Sequence, residues 1–117
     1  MACCVVFFFV QGDKAWLESS PLSSKFNSDV GEYEITCFRF WYQMVGDSVG
    51  HLKVIYAKAN DTLRSPIWEL YGNQSSSRDE WLEGVIPLTG TDDDYMLIFE
   101  GSKGLGSVAG FIAYYIL

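Results

Sequence analysis

The run "ITCFRFWYQM" is followed by "VGDSVG" and then by "HLKVIYAK". In an extended strand, successive side chains point to opposite faces. Phe38, Phe40, Tyr42 and Met44 therefore share one face of the first run, and Ile35, Cys37, Arg39 and Trp41 share the other. In the second run Leu52, Val54 and Tyr56 fall together. The connection between the runs is turn chemistry, and it is too short to hold a crossover helix. Two long strands joined this way must lie antiparallel, and this confines the chain to antiparallel β-structure.

The other segments agree. "CCVVFFFV" is a continuous apolar run, as in a strand buried on both faces, and "KAWLES" is a shorter candidate. "IWELYG" and "WLEGVIPL" are further strands, and Pro87 places the second of these at an edge or a bulge. "YMLIFEG" alternates again, with Tyr95, Leu97 and Phe99 in phase. Between them lie "SSPLSSKFNSDVG", "ANDTLRSP", "NQSSSRDE" and "TGTDDD", whose Ser, Asn, Asp and Gly content marks loops and turns. The count is seven or eight strands with no amphipathic helix, which points to an all-β sandwich or barrel. With 117 residues the chain forms one domain. Phe38, Phe40, Tyr42, Leu52, Val54, Leu97 and Phe99 are the expected core between the sheets.

The net charge of −7 and the scattered Lys and Arg argue against a nucleic-acid partner, which requires a basic footprint. They also disfavour attraction to anionic lipid. "MACCVVFFFV" has the length of a signal-peptide core, but no basic residue precedes it and no clear cleavage site follows, so it reads as a buried strand. "GLGSVAGFIAYYIL" is uncharged yet shorter than the ~20 residues that span a bilayer. Direct membrane insertion is not expected. Three cysteines without a C-x-x-C pair, beside a lone His51, do not make a zinc site. They are either buried thiols or part of a secreted domain whose disulfide partners lie outside this chain.

"GLGSVAG" has the outline of a dinucleotide-binding turn, but the crossover helix, second parallel strand and ribose-binding acid that such a turn needs have no room before Leu117. The segment reads instead as a connection into a terminal strand "FIAYYIL", with Gly104 and Gly106 taking positive φ. Ile112, Tyr114 and Ile116 would then share one face.

"CFRFWYQMVGDSVGHLKV", "IWELYGNQSSSRDEWLEGVIPL" and "YMLIFEGSKGLGSVAGFIA" occur in that order at ordinary spacing. Together they resemble the MAM domain, the extracellular module of meprins, neuropilins and receptor tyrosine phosphatases. The resemblance covers roughly residues 12 to 113. It implies a jelly-roll-type β-sandwich of two antiparallel sheets, lacking the family's opening segment. It implies a noncatalytic extracellular role in adhesion or protein interaction, on a cell-surface ectodomain, with a protein partner that includes a second copy of the module among the candidates. It also implies a disulfide at Cys37, which stands where the family has its third cysteine and whose usual partner lies beyond the final strand. The family commonly ends that strand with acids; here Phe111, Tyr115 and Ile116 occupy those places, which argues against the cation site such acids could serve.

Asp92, Asp93 and Asp94 are the candidate ligands for calcium, which favours carboxylate oxygens. No Asp-x-Asp-x-Asp spacing follows, so a solvated turn and no cofactor is the reading adopted. Asn60 and Asn73 each open an N-glycosylation tripeptide in an expected loop. Catalysis finds no support: His51 has no nucleophile motif and reads as a partly exposed strand residue. Nothing selects two of Glu32, Glu34, Glu69, Glu83 and Glu100 as a hydrolytic pair. Trp16, Trp41, Trp68 and Trp81 are expected mostly in the core, with Trp68 or Trp81 the candidates for exposure. A row of exposed tryptophans would mark the alternative function, a carbohydrate-binding β-sandwich module.

Overall fold

The structure, a computed structural model, describes residues 3–8, 14–59, 62, 64–77, 79–104 and 111–116, with the side chains of 3–8, 15 and 111–116 outside the description. The strands are β1 (Cys3–Phe8), β2 (Lys14–Glu18), β3 (Phe26–Asn27), β4 (Glu32–Tyr33), β5 (Thr36–Val45), β6 (Val49–Lys58), β7 (Arg64–Tyr71), β8 (Leu82–Leu88), β9 (Tyr95–Lys103) and β10 (Phe111–Ile116). Among the described residues there is no helix. Two four-stranded sheets form, in the orders β1-β10-β5-β8 and β2-β9-β6-β7, and every pairing is antiparallel. The all-β sandwich of two antiparallel sheets is therefore present.

The two phases of each long strand divide inside from outside. Phe40, Tyr42 and Met44 of β5 are buried, and so are Leu52 and Val54 of β6, Ile86 and Leu88 of β8, and Tyr95, Leu97 and Phe99 of β9. Phe38 and Tyr56 pack against this core from its margin. Phe40, with no solvent-accessible surface, holds the centre. Its ring meets those of Phe99 and Trp68 edge-on, at 5.1 and 4.9 Å between centroids, an arrangement favoured by the ring quadrupoles. Directly opposite on β8 stands Gly84. A Cβ there would lie 2.6 Å from Phe40 Cε1, so the ring occupies the space that any other residue would need.

Several local expectations change. The end of the segment "SSPLSSKFNSDVG" and the two residues after it form a small hairpin, β3 paired with β4. Asn27 organises its turn, accepting the Asp29 N–H on Oδ1 at 3.0 Å and the Gly31 N–H on its carbonyl at 2.9 Å. Gly31 takes φ +72° there. Strand β7 begins at Arg64, inside the expected loop, because a bulge against β6 between Val54 and Ile55 accommodates Pro66 on this edge strand. Pro87 does lie in an edge strand, β8.

The glycine-rich connection joins β9 in one sheet to β10 in the other, and a strand rather than a helix follows it. β10 pairs between β1 and β5, with Tyr114 opposite Tyr42. The expected positive φ at Gly104 is absent; among the described residues that conformation falls at Gly31, Gly46 and Gly72. Gly104 is needed for space instead, since a Cβ would meet the Val49 carbonyl oxygen at 2.8 Å. Gly106 lies outside the described residues, as do the side chains of Ile112, Tyr114 and Ile116.

Phe40→Ala should destabilise the fold by about 3–5 kcal/mol, the cost of a large buried cavity. Gly84→Ala should also lower the melting temperature, because Phe40 has no room to retreat. Thermal melts read both effects, and a Gly84→Ala melt equal to the wild type would show that the ring is free to move.

Candidate functional site

The register assembles a polar cluster on the outer face of the β2-β9-β6-β7 sheet. Directly opposed residues share a face. Trp16 stands opposite Glu100, Glu100 opposite Lys53, and Lys53 opposite Glu69. In the next row lie Lys14 opposite Ser102 and His51 opposite Tyr71. The pairing of β6 with β9 is irregular between Val49 and Leu52, and a bulge of this kind re-aims a side chain. Gly50 makes it possible: a Cβ at this position would lie 2.8 Å from the Ser102 carbonyl oxygen.

At the centre is Glu100, only 7% exposed although it faces away from the core. Trp16 Nε1 donates to its Oε1 at 2.6 Å, and His51 Nε2 lies 2.6 Å from its Oε2. Ser102 Oγ accepts the backbone N–H of His51 at 3.0 Å and lies 2.9 Å from Nδ1. The imidazole is thus held between the Ser102 hydroxyl and the Glu100 carboxylate. For the Glu100 carboxyl, burial is the largest single influence and pushes its pKa up. The hydrogen bonds from Trp16 and His51, with the charges of His51 and Lys14, more than offset it, and the net shift is downward.

Trp16 itself is 65% exposed and Tyr71 58% exposed. They bracket the cluster from the two edge strands of the sheet, β2 and β7. Tyr71 packs edge-on to His51, lies under Lys53 Nζ at 5.8 Å, and donates its hydroxyl to Glu69 at 3.3 Å. Beside this cluster is a depression of about 290 Å³ lined by Trp16, Glu18, Ile55, Arg64, Ile98 and Glu100. Arg64 Nη1 lies 4.0 Å from Glu18 Oε1 at its rim.

The Ser102–His51–Glu100 line has the composition of a hydrolytic triad without the working geometry. Ser102 is buried, and its oxygen already accepts a backbone N–H and is engaged with Nδ1 at 2.9 Å. A nucleophile needs an open approach to its substrate. The arrangement fixes a carboxylate and an indole in place.

The expected site residues scatter by comparison. His51 is a partly exposed residue of strand β6, as expected, and its ring is held in the cluster. Trp68 packs against the core, Trp81 is exposed at 36% as expected, and Trp16, expected inside, is the more exposed at 65%. Of the five glutamates, Glu69 and Glu100 share a row with Lys53 between them, and Glu83 faces Arg39 at 3.4 Å on the other sheet. Glu32 and Glu34 lie exposed in and beside the small hairpin. Asp92 accepts the Tyr33 hydroxyl. The Asp93 and Asp94 carbonyls accept from Thr91 Oγ1 at 3.1 Å and the Ala59 N–H at 2.9 Å. Among the described residues no three His, Cys, Asp or Glu side chains converge on a common point. Asn73 is exposed and its Oδ1 accepts the Gly46 N–H at 2.8 Å. Asn60 lies outside the described residues. Cys37 is an exposed free thiol on β5.

Trp16, Ser102 and their link through His51 and Glu100 were missed by sequence reasoning. One signal was available: Glu100 and Ser102 are polar and in phase, within the apolar strand β9.

Because the Glu100 carboxyl titrates lower in the folded chain, its contribution is present above the ordinary value of 4.5 and is lost as pH falls through the depressed folded value. Glu100→Gln should lower the melting temperature at neutral pH, and the gap to wild type should narrow on acidification below 4.5. Parallel melts at pH 7 and pH 3 check this; an undiminished gap at pH 3 would contradict it.

The family model described as "MAM domain, meprin/A5/mu" matches residues 5–113. "MAM domain-containing glycosylphosphatidylinositol anchor protein 2" of Homo sapiens is 33% identical over 99 residues, 83% of this chain and 10% of that protein. "Neuropilin-1" of Xenopus laevis is 35% identical over 75 residues, 63% of this chain and 8% of that protein. "MAM domain-containing protein 2" of Homo sapiens is 33% identical over 96 residues, 82% of this chain and 12% of that protein. The chain thus spans about a tenth of the length of these relatives. With the two antiparallel sheets in place and the family match running through nearly every strand, the chain belongs to the MAM domain family.

Proposed function

We propose that this chain is a noncatalytic extracellular module of adhesion or protein interaction, displayed on a cell-surface ectodomain. The observation that supports this reading is the outer face of the β2-β9-β6-β7 sheet. A tryptophan is 65% exposed there, yet its indole is fixed by a hydrogen bond to a buried carboxylate. Exposed aromatics held in one geometry lose little entropy on binding and supply much of the energy at interfaces. The relatives carrying MAM modules fit the extracellular setting, one of them being a glycosylphosphatidylinositol anchor protein by name. Among the described residues no helix is long and apolar enough to cross a membrane.

Three modifications accompany this reading. Asn60 and Asn73 carry N-linked glycans. At Asn73 the glycan would sit on Nδ2 and leave Oδ1 on the Gly46 N–H. Ser75 of that tripeptide is buried and accepts the Met44 N–H at 3.1 Å, so attachment precedes folding of this loop. Cys37, exposed on the outer face of its sheet, forms a disulfide with a cysteine outside this chain.

A carbohydrate-binding role is the second reading, favoured by Trp16 and Tyr71 lying on one face. The two separate by experiment. The secreted chain, immobilised, should capture a cell-surface protein or self-associate in sedimentation, and Trp16→Ala should weaken that binding roughly tenfold or more, as expected of a hot spot. Binding to a glycan array without either protein association would reverse the choice.

A further inference from the structure

We infer that the depression beside Trp16 is a socket for a lysine or arginine side chain of the partner, a conclusion that rests on the protein-interaction reading. Ile55 and Ile98 line it with aliphatic surface, the exposed Trp16 adds an indole, and Glu100 and Glu18 add carboxylates. That is the chemistry of a long side chain with an apolar stem and a cationic head. The stem lies along aliphatic surface. The head sits against an indole face, the strongest aromatic partner for a cation. The carboxylates supply charge-assisted acceptors.

Glu100 suits the role. Trp16 and His51 each occupy one of its oxygens. A carboxylate oxygen has two acceptor sites, so each keeps one for a further donor. The same two bonds keep the carboxylate ionised. Ser102 holds His51, His51 and Trp16 hold Glu100, and Glu100 in turn holds the indole, so the indole and the acceptor are placed before any partner arrives.

The chain supplies its own stand-in. The Arg64 guanidinium lines the depression, 4.0 Å from Glu18. Both side chains are more than half exposed, and an exposed pair at this distance is weak. A partner cation therefore competes with Arg64 at little cost. The net charge of −7 steers a basic partner toward the module. Lys14 and Lys53 stand on the same face beside Glu100. They oppose a broad basic surface and favour a single inserted side chain.

The test uses the chain carrying ¹³C-labelled isoleucine methyls, so that Ile55 and Ile98 report from the lining of the depression in every variant. The probes are the capped pentapeptide Gly-Gly-Arg-Gly-Gly, its citrulline counterpart, which keeps the shape and loses the charge, and methyl glucoside. The arginine peptide should shift both methyls saturably and the other two should not. Trp16→Ala should weaken the response about fivefold, and Glu18→Gln should weaken it as well. Arg64→Ala should strengthen it, an effect that no loss of folding can imitate. No saturable shift, an equal response to the citrulline peptide, a saturable response to methyl glucoside, or weaker binding by Arg64→Ala would each overturn the socket. Capture of a surface protein by a chain that ignores the arginine peptide would overturn this inference while leaving the interaction reading in place.

Discussion

Phe40 sets the distance between the sheets. Its ring projects from β5 over Gly84 in its own sheet and meets Phe99 and Trp68 of the facing sheet edge-on. Stacked sheets pack about 10 Å apart, and one aromatic ring anchored over a glycine spans much of that gap. The aliphatic inward residues Met44, Leu52, Val54, Leu97 and Ile86 are smaller and fill around it. Tyr42 meets Trp68 at 5.1 Å from the same strand. Trp68 thus belongs inside for a specific reason: the bulge in β7 lets it reach the two β5 rings while Ile67 stays at the surface.

That inward commitment leaves the outer phase of the same strands free for other chemistry. In β9, Tyr95, Leu97 and Phe99 build the core, while Ile98, Glu100 and Ser102 face outward and are still buried. They are buried because β9 is central in its sheet, with β2 on one side and β6 on the other, and larger side chains from both neighbours lean across it. A carboxylate in such a position is costly unless it is hydrogen-bonded. Trp16 and His51 provide those bonds, and through them the edge strand β2 gains a side-chain tie to the sheet beyond its backbone ladder.

The fold was legible in the chain because its main signal, period-two alternation in β5, β6 and β9, is local. Turn chemistry at "VGDSVG" adds direction, and the order of the segments carries the family. The inner face was legible for the same reason: Phe40, Leu52, Val54 and Leu97 needed only a phase. The outer cluster was not, because it depends on register. Trp16 and Glu100 are 84 positions apart and meet only once β2 is aligned with β9. His51 reaches Glu100 only through an irregularity at Gly50, which alternation cannot foresee. Gly104 shows the converse. A glycine in a connection suggested special backbone angles, but its role is close backbone approach to Val49, a fact of tertiary packing.

The two glycines Gly50 and Gly104 meet at one place, and that place ties the core to the outer face. A Cβ on Gly104 would press on Gly50 Cα at 3.2 Å, and one on Gly50 would press on Gly104 N at 3.0 Å. The Gly104 N–H donates to the Ser48 carbonyl at 2.7 Å and closes the end of β9 against the start of β6. With the backbones this close, Ser102 Oγ sits within reach of both the His51 N–H and Nδ1. The orientation of His51, the ionised state of Glu100 and the posture of Trp16 then follow in sequence from a contact that involves no side chain of its own. An exposed aromatic platform is thereby fixed by the backbone of the strand pair at the centre of its sheet, and surface substitutions at Glu18 or Lys53 are free to vary recognition without disturbing what holds it.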